Sequence, residues 1–312
     1  MKVSVIVSIY NEAAILPVTL PSLLSQDYPK EKTEIIIVDD ASTDETPQLL
    51  NSHEWKESIT IISHIENRGR AATRNSGIKA STGDLLIFID CDIEVELDFI
   101  SRHVEYHYNE NVIGLVSHLH TRDTQSKDKY LRYIFFGKRG AGIIGSNKPL
   151  PFNYFIQTCS SIKLDAINKT GKYNEELPTY GIDLEYAYRL GKNFPRGLFY
   201  SEYINVYMHN VHTLDKALCN FRLYGQCNVP IILRKHPELA PYVAADFIQS
   251  IKGKYSWKVI IGKILINTFI FKLVKWLLRI TPFPLSNPLI RYLLASSVAM
   301  GYREYLKGIN KN

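Results

Sequence analysis

The residues that first indicate chemistry are two aspartates one position apart, Asp90 and Asp92, directly after the apolar run 85–89. This run has no polar alternation and follows Gly83 and Asp84, which predicts a strand buried on both faces. Both carboxylates then lie at the carboxyl edge of the strand, where open α/β sheets bind their ligands. Oxygen donors of this kind suit a hard divalent cation, Mg²⁺ or Mn²⁺, that holds a phosphate.

Three more apolar, β-branched runs provide the elements that position these carboxylates. They cover 2–12, 34–46 and 59–65, and each predicts a strand with polar or acidic residues at its carboxyl end. A helix is predicted after the first strand up to about Gln26, and a loop with a helix is predicted over 66–84. Strands and helices that alternate at this spacing are typical of a parallel, doubly wound α/β sheet.

Four segments resemble, in order and spacing, the inverting family 2 glycosyltransferases: VSVIVSIYNE, VDDASTDET, NRGRAATRNSGIKASTGD and FIDCD. The later stretch GKYNEELPTYGIDLEYAYRLGK (171–192) is similar to the acceptor-side motif of that family. The resemblance covers roughly residues 1–225 and implies a GT-A fold, which is Rossmann-like with a mostly parallel sheet. It implies a nucleotide-sugar half over about 1–115 and an acceptor half over about 116–225. Residues 226–312 lie outside the resemblance and are expected to form a basic, apolar helical extension.

The predicted donor site draws on the ends of the first strands. Asp39 or Asp40 is placed to accept a hydrogen bond from a base or ribose, and the resemblance assigns one of them to the base. Tyr10 offers a stacking face, while helix capping together with Ser42 is the structural alternative for Asp40. Arg70 is one of three arginines, with Arg68 and Arg74, that compete for a contact to the diphosphate. The residues predicted to bind the nucleotide sugar are Ser8, Tyr10, Glu12, Asp39, Asp40, Arg68, Arg74 and Asp90.

The predicted cofactor is a divalent metal, Mn²⁺ or Mg²⁺, which neutralises charge on the diphosphate leaving group. We expect Asp92 to be a direct ligand and Asp90 to contact the ribose or water around the metal. By resemblance to family members with a histidine after the acceptor helix, His209 is the candidate third ligand and His212 the second choice. A purely structural role is the alternative for His209.

Asp183 is the predicted catalytic base. The family usually has a Glu-Asp pair here, and this chain has Ile182 followed by Asp183, so the resemblance gives Asp183 the role of general base on the acceptor hydroxyl. A helix predicted for LEYAYRL places Asp183 at its N-terminus, where the helix dipole favours the ionised form. Capping of this helix is the alternative role. Ile182 leaves the acceptor type open, and a single displacement predicts inversion at the anomeric carbon.

The segment 121–167, rich in aromatic residues and glycine, predicts a mobile loop that closes over donor and acceptor. Lys138, Arg139 and Lys148 are candidates to hold a lipid-linked phosphate there, and a solvated loop is the alternative.

Composition and cysteine spacing indicate a protein of a reducing compartment. The chain has 312 residues, 46% of them hydrophobic, and its four cysteines have no CxxC or metal-ligand spacing. The apolar N-terminus is interpreted as the first strand rather than a signal peptide. We therefore expect catalysis in the cytoplasm or at the cytoplasmic face of the cell membrane.

The C-terminal segment 251–312 carries eleven of the 37 basic residues and one acid, Glu304. Its apolar stretches 259–280 and 288–306 contain no charge-free run near the roughly 20 residues that span a bilayer. A basic amphipathic helix on an anionic membrane surface fits this pattern. The alternatives are packing on the catalytic domain or on a second subunit, and a tilted span. The Pro-rich stretch 281–288 is predicted to separate two helices.

Other classes of protein fit the sequence less well. A sugar-nucleotide pyrophosphorylase or a dehydrogenase needs a glycine-rich loop after the first strand, and SIYNEAAILP contains no glycine. A processive polysaccharide synthase would usually carry several clear transmembrane spans. A catalytically inactive assembly module at a membrane is the non-enzyme alternative, although Asp90, Asp92 and Asp183 are all present. The predicted partners are a nucleoside diphosphate sugar, preferably with UDP, and a glycan or lipid-linked acceptor; no nucleic acid is expected, and homo-oligomerisation stays open.

Overall fold

The computed structural model of the chain describes residues 1–52, 54–137, 139–250 and 257–309. The strands are β1 (Val3–Ile9), β2 (Thr33–Asp39), β3 (Thr60–Ser63), β4 (Leu85–Asp90), β5 (Ile93–Val95), β6 (Gly114–His120), β7 (Cys159–Lys163) and β8 (Leu198–Met208). The helices are α1 (Leu16–Leu24), α2 (Thr46–Leu50), α3 (Gly69–Ala80), α4 (Phe99–His107), α5 (Lys129–Phe136), α6 (Leu164–Thr170), α7 (Ile182–Asn193), α8 (Leu214–Lys235), α9 (Trp257–Leu265), α10 (Thr268–Ile280) and α11 (Asn287–Ile309).

The described strands form one eight-stranded sheet in the order β3-β2-β1-β4-β7-β6-β8-β5. The first four strands run parallel, as predicted from their apolar runs. β7 is antiparallel to both β4 and β6, and β5 is antiparallel to β8, whereas β6 and β8 are parallel. The sheet is therefore mixed beyond β4, and its parallel half is the part that the sequence predicted.

The register of the parallel half aligns the carboxyl ends of three strands. Ser8 near the end of β1 lies opposite Val38 of β2 and Asp90 of β4. β1, β2 and β4 are buried along almost their whole length, which explains why their sequences lack polar alternation. The polar residues that follow these strands consequently meet at one edge of the sheet.

The prediction of a mobile loop over 121–167 is wrong for much of that segment. It contains α5 and the central strand β7. Hydrophobicity does not predict this strand, because its middle residues, Ser160 and Ser161, are buried serines. Ser161 is satisfied by two buried histidines of α4, since its hydroxyl lies 2.8 Å from His103 Nδ1 and 2.7 Å from His107 Nε2.

The structure describes two of the three loop cations that were predicted to hold a lipid-linked phosphate. Lys138 lies outside the described residues. Arg139 precedes a 3₁₀ turn at Gly140–Ile143, and Lys148 is exposed.

The chain divides into two compact units. Unit 1 comprises 1–124, 139–175 and 182–210, and unit 2 comprises 125–138, 176–181 and 211–312. Unit 1 holds the sheet and a core formed by the inner residues of β1, β4 and α4, among others. The domain boundary expected at residue 225 falls inside α8.

Unit 2 is built on the contact between α8 and α11. A Cβ on Gly225 of α8 or on Gly301 of α11 would collide with the backbone of the opposite helix, so glycine permits this close approach. The Pro-rich stretch separates α10 from α11, as predicted. The tail 259–280 forms two helices, α9 and α10, rather than one. Within the described ranges, no helix combines the length and the apolar character that crossing a membrane requires.

Candidate active site

The end of β4 places two carboxylates at the edge of the sheet with different surroundings. Asp90 is the last residue of the strand, and its carboxylate lies 3.5 Å from Arg74 Nη2 and 3.4 Å from Arg70 Nη1. Asp92 forms no ion pair with any residue that the structure describes. Burial, followed by the nearby charges of Asp90 and Glu12, raises the pKa of Asp92 to about 7. A backbone hydrogen bond and the charge of Arg70 offset the negative charge at Asp92 only in part.

This donor set fits a hard divalent cation. Asp92, Asp90 and Glu12 carry carboxylates in this region, and the pKa of Asp92 is raised first by burial and then by the charges of Asp90 and Glu12, which a cation would offset. Within the described ranges, no three His, Cys, Asp or Glu side chains form a complete metal-binding group. Mg²⁺ and Mn²⁺ are commonly held by one or two carboxylates together with phosphate oxygens of a substrate, so an incomplete protein set is consistent with this type of site.

His209 lies next to Asp92 through the backbone. Its N–H donates to the carbonyl oxygen of Asp92 at 3.0 Å, because β8 and β5 are paired up to Met208 and Ile93. Its imidazole, however, contacts Glu94, with 2.7 Å between Nε2 and Oε2. His212, the second candidate, belongs to unit 2.

Glu94 was not among the residues selected from the sequence. Besides His209 it binds Arg122, with 2.6 Å between Nη2 and Oε1, and this hydrogen bond is the main reason why the pKa of Glu94 is lowered. The guanidinium of Arg122 also lies 3.5 Å above the ring of Tyr207. The only signal in the sequence was the alternation of polar residues in β5, which is too short to interpret alone.

The two aspartates at the end of β2 have distinct contacts. Both oxygens of Asp40 are used at the start of α3: Oδ1 accepts from Arg68 N at 2.9 Å and Oδ2 accepts from Gly69 N at 2.8 Å. His64 Nδ1 also lies 2.7 Å from Asp40 Oδ1. Asp39 accepts from Ser42 N through Oδ1 at 3.1 Å, and no contact to its Oδ2 occurs among the described residues. Asp40 therefore holds the loop before α3, and Asp39 is the better candidate for a ligand contact.

The loop after β1 is fixed against the loop after β2. Asn11, with φ of 56°, donates from its N–H to Ser42 Oγ at 2.8 Å, and its Oδ1 accepts from Thr43 N at 2.7 Å. This arrangement leaves the Tyr10 side chain exposed beside the edge. Ser8 is partly buried within β1. Glu12 is contacted by Asn210, and burial is the main cause of its raised pKa.

Arg74 is the central cation of the site. Its side chain is buried, with Nη1 2.6 Å from Asp183 Oδ1 and Nη2 3.5 Å from Asp90 Oδ1. Nη2 also donates to the carbonyl oxygen of Gln157 at 2.9 Å. Burial alone would lower the pKa of Arg74, but Asp183, Tyr173 and Asp90 outweigh it and raise the pKa. The sequence had proposed Arg74 as one of three diphosphate contacts, whereas the structure places it between two carboxylates.

Asp183 lies in the first turn of α7, the helix predicted from LEYAYRL. Its carboxylate is partly exposed and contacts Arg74. Tyr173 and Gln157 support this arrangement and were missed in the sequence: Tyr173 stacks on Tyr186 with ring centroids 4.0 Å apart and hydrogen-bonds Gln157. The Nε2 of Gln157 is buried with no hydrogen-bond partner among the described residues.

The other two arginines are half-exposed. Arg68 pairs with Glu175, with 3.1 Å between Nη2 and Oε2, and Arg70 reaches Asp90. Their side chains are 46% and 47% exposed, whereas that of Arg74 is 4% exposed.

Sequence comparison identifies the family. The profile described as Glycosyl transferase family 2 matches residues 4–171, more than half of the chain. A poly(ribitol-phosphate) beta-glucosyltransferase of Bacillus spizizenii is 39% identical over 94 residues, which are 30% of this chain and 15% of that protein. Glycosyltransferase AglE of Haloferax volcanii is 36% identical over 103 residues, which are 33% of this chain and 34% of AglE. The chain thus aligns with less than two thirds of the length of each relative.

Solved structures share the fold. Mannosyltransferase PcManGT from Pyrobaculum calidifontis, in complex with GDP-Man and Mn²⁺, aligns with a TM-score of 0.64 and 19% identity over 96% of this chain and 86% of its own. Staphylococcus aureus TarS 1–349 in complex with UDP aligns with a TM-score of 0.56 and 21% identity over 100% of this chain and 92% of its own. These likenesses confirm the predicted GT-A-like fold. Together with the match over residues 4–171, they lead to one conclusion: this chain belongs to glycosyl transferase family 2.

Proposed function

We propose that the protein is an inverting glycosyltransferase that moves a sugar from a nucleoside diphosphate sugar to a hydroxyl group of a glycan or lipid-linked acceptor. The observation that carries the proposal is the bridge made by Arg74, which ties Asp90 of the predicted donor site to Asp183, the predicted base. The two groups that must act on opposite sides of the anomeric carbon are thereby held in one rigid cluster.

The donor is proposed to lie along the carboxyl ends of β1, β2 and β4. Asp39 would accept a hydrogen bond from the base, Tyr10 would stack on it, and Ser8 and Glu12 line the same edge. Arg68, half-exposed, is suited to the diphosphate. A divalent cation would be held by Asp92 and Asp90, with His209 as a further candidate, and when bound it supplies neutralisation of the charge that develops on the leaving diphosphate.

The transfer itself is a single displacement at the anomeric carbon. Asp183 removes the proton of the acceptor hydroxyl while the hydroxyl oxygen forms a bond to that carbon. The bond between the carbon and the diphosphate oxygen breaks on the opposite face, and the nucleoside diphosphate leaves with the bonding electron pair. Configuration inverts, and no covalent enzyme intermediate is required.

The choice of donor and acceptor is supported by the relatives. One relative is a poly(ribitol-phosphate) beta-glucosyltransferase, and TarS has been solved with UDP and with UDP-GlcNAc. PcManGT has been solved with GDP-Man, so similarity of fold alone leaves the base open. We favour a UDP-sugar and an acceptor in cell-surface polysaccharide or glycoconjugate synthesis, met at the cytoplasmic face of a membrane by an anionic-lipid-binding segment within 251–312.

The experiment that tests the proposal is a thermal-shift panel with UDP, GDP, CMP and dTDP, each with and without Mn²⁺. A ligand at one hundred times its Kd stabilises the folded state by about 2.7 kcal/mol. We expect one nucleotide to stabilise the protein in a Mn²⁺-dependent manner and Asp92→Ala to lose that effect. Turnover of the matching donor, with the anomeric configuration of the product read by NMR, then tests the reaction.

A catalytically inactive assembly module is the second candidate, favoured by the 2.7 Å contact between His209 Nε2 and Glu94 Oε2, which engages the candidate third metal ligand. It predicts no nucleotide-dependent stabilisation in the panel and no transfer from any donor. A Mn²⁺-dependent shift without turnover would support nucleotide binding and contradict the transferase.

A further inference from the structure

The exposed side of α10 is unusually apolar for a surface helix. Phe269 is 74% exposed, Trp276 is 54% exposed, and Leu273 and Ile280 are exposed with them. At about 100° per residue, positions 269, 273, 276 and 280 fall on one side of the helix. This side, together with Lys272 and Arg279, is referred to below as the outer face of α10.

The inner face of the same helix already forms part of the core. Leu278 is buried, and Phe271 and Val274 pack against the cluster that contains Leu278 and Ile290. The outer face is therefore not needed to fold unit 2. An amphipathic helix of an ordinary surface would carry polar residues there, so large apolar side chains on this face indicate a partner.

The preceding helix, α9, repeats the pattern. Trp257, Ile260 and Ile264 are exposed at helical spacing, with Lys263 beside them. Two of the three tryptophans of the chain thus lie on the surface of α9 and α10, and the third, Trp55, is buried in unit 1.

The charge on these helices has a single sign. Residues 257–280 contain no Asp or Glu. Lys258 and Lys275 are paired with Asp246 and Asp215. The exposed residues Lys263, Lys272 and Arg279 form no ion pair with any residue in the described ranges. The unpaired cations are therefore those that lie beside the exposed apolar side chains.

We propose that the outer face of α10, together with the exposed side of α9, is a docking surface for an anionic lipid bilayer. The helix would lie in the interface, with Phe269 and Trp276 among the headgroups and upper acyl chains and with Lys272 and Arg279 on lipid phosphates. Tryptophan and basic side chains are the residue types that such interfaces favour.

A second copy of the chain is a poorer occupant of this surface. In a symmetric dimer the same face meets itself, so Lys272 and Arg279 would approach identical cations with no acid in 257–280 to compensate them. An anionic bilayer supplies the missing negative charge. This docking surface does not rest on the proposed reaction, because every residue that forms it lies in unit 2.

Tryptophan fluorescence of the full-length chain tests insertion directly. A variant that keeps only Trp276 (Trp55→Phe, Trp257→Phe) is mixed with vesicles of phosphatidylcholine and phosphatidylglycerol, and with phosphatidylcholine vesicles. We expect a blue shift and quenching by brominated lipid with the anionic vesicles alone. The matched variant that keeps only Trp55 should not respond. An unchanged Trp276 spectrum with anionic vesicles would overturn the proposal.

Vesicle cosedimentation tests the charges. Each cationic residue at an anionic surface contributes about a fivefold change in partitioning, so Lys272→Gln/Arg279→Gln should weaken binding about twenty-five-fold. The matched control is Lys56→Gln/Lys79→Gln, which removes two exposed lysines of unit 1 and should leave binding unchanged. An equal loss of vesicle binding in both double variants would show that only the net charge of the protein matters, which would contradict the proposal.

Analytical ultracentrifugation without lipid tests whether a second copy of the chain, rather than a bilayer, occupies the outer face of α10. We expect Phe269→Ala/Trp276→Ala to abolish vesicle binding and to leave the sedimentation coefficient unchanged. A wild-type dimer that this pair of substitutions dissociates would assign the face to a second copy and overturn the lipid proposal. The aromatic control Tyr108→Ala, an exposed ring of unit 1, should change neither measurement.

Discussion

The guanidinium of Arg74 lies 2.6 Å from the carboxylate of Asp183, although the two residues are 109 positions apart in the chain. The same side chain reaches Asp90 at the end of β4. Since Arg74 is buried and fixed by the carbonyl oxygen of Gln157, it determines where both carboxylates lie. One arginine thus links the predicted base to the predicted donor site.

Replacement of Arg74 by lysine should keep the charge and lose the planar fork that contacts two carboxylates. We expect kcat to fall at least tenfold while the Tm changes by a few degrees, because Asp183 is no longer held in position. The measurement is steady-state transfer together with thermal unfolding. Arg102→Lys, at a partly exposed arginine that pairs with Asp98 and is not among the predicted site residues, is the control and should retain most of the activity.

Asp183→Asn removes the proposed base with little change of shape. General-base catalysis contributes about 10² to 10⁴ in rate, so we expect a loss of transfer of that size. Nucleotide-dependent thermal stabilisation should be retained, since Asp183 lies outside the proposed donor contacts. Retained turnover in this variant would remove Asp183 from the mechanism.

The Asp92 carboxyl group should reduce stability when it ionises without metal. Its pKa in the folded state, about 7, is above the ordinary value for aspartate, so the folded state disfavours the ionised form. The destabilisation therefore grows as pH rises from about 4 to about 7 and is complete above pH 7. In EDTA at pH 8 we expect Asp92→Asn to raise the free energy of unfolding by about 1–4 kcal/mol, with a smaller gain at pH 5. Urea unfolding at both pH values measures this difference.

Asp90→Asn is the matched control for Asp92→Asn. Asp90 is paired with Arg74 and Arg70, so the same change of charge should destabilise the protein in EDTA. Both variants should weaken the Mn²⁺-dependent response to nucleotide. If Asp92→Asn is no more stable than wild type at pH 8, the charge at this site is already compensated.

Substitutions of Asp39 and of Asp40 should have different effects on stability and on nucleotide binding. Asp40→Ala removes the acceptor for Arg68 N, Gly69 N and His64, and we expect a loss of about 3 kcal/mol of stability. Asp39→Ala removes one hydrogen bond within the protein and should chiefly weaken nucleotide binding. Isothermal titration and urea unfolding of both variants test this, and the reverse pattern would assign the ligand contact to Asp40.

Acid should destabilise unit 1 through His103 and His107. Burial, with a contribution from His107, lowers the pKa of His103 to about 3, and burial, with a contribution from Lys163, does the same for His107. Unfolding then takes up two protons below the ordinary histidine pKa, so stability is complete above about pH 6.5 and is lost as pH falls towards 3. The expected slope is about 2.7 kcal/mol per pH unit.

Urea midpoints between pH 7 and pH 4.5 measure this slope. His103→Gln and His107→Gln should each remove about half of this slope, because each histidine takes up one of the two protons. Ser161 keeps one polar partner in either variant. An unchanged slope in both variants would assign the acid sensitivity to other groups.

The sequence predicted the parts of the fold that depend on local pattern. The strands β1, β2 and β4 are continuous apolar runs, and their order along the chain fixed a parallel arrangement with Asp39, Asp90 and Asp92 at one edge. The start of α7 was equally predictable, because LEYAYRL has helical periodicity.

Long-range pairing decided the rest. The central position of β7 depends on two histidines from α4 that hydrogen-bond its buried Ser161, and no local pattern in the strand predicts these contacts. Glu94 and His209 meet only because β5 pairs with β8.

The C-terminal helices and Arg74 also show which features the sequence encodes locally and which depend on tertiary structure. Large apolar side chains occur on both the inner and the outer face of α10, so only packing against the core of unit 2 decides which of them are exposed. The sequence by itself determined where carboxylates gather, because strand ends are encoded locally. Which carboxylates share Arg74 was decided by tertiary structure alone, since an ion pair between residues 109 positions apart forms only when the sheet and α7 have folded together.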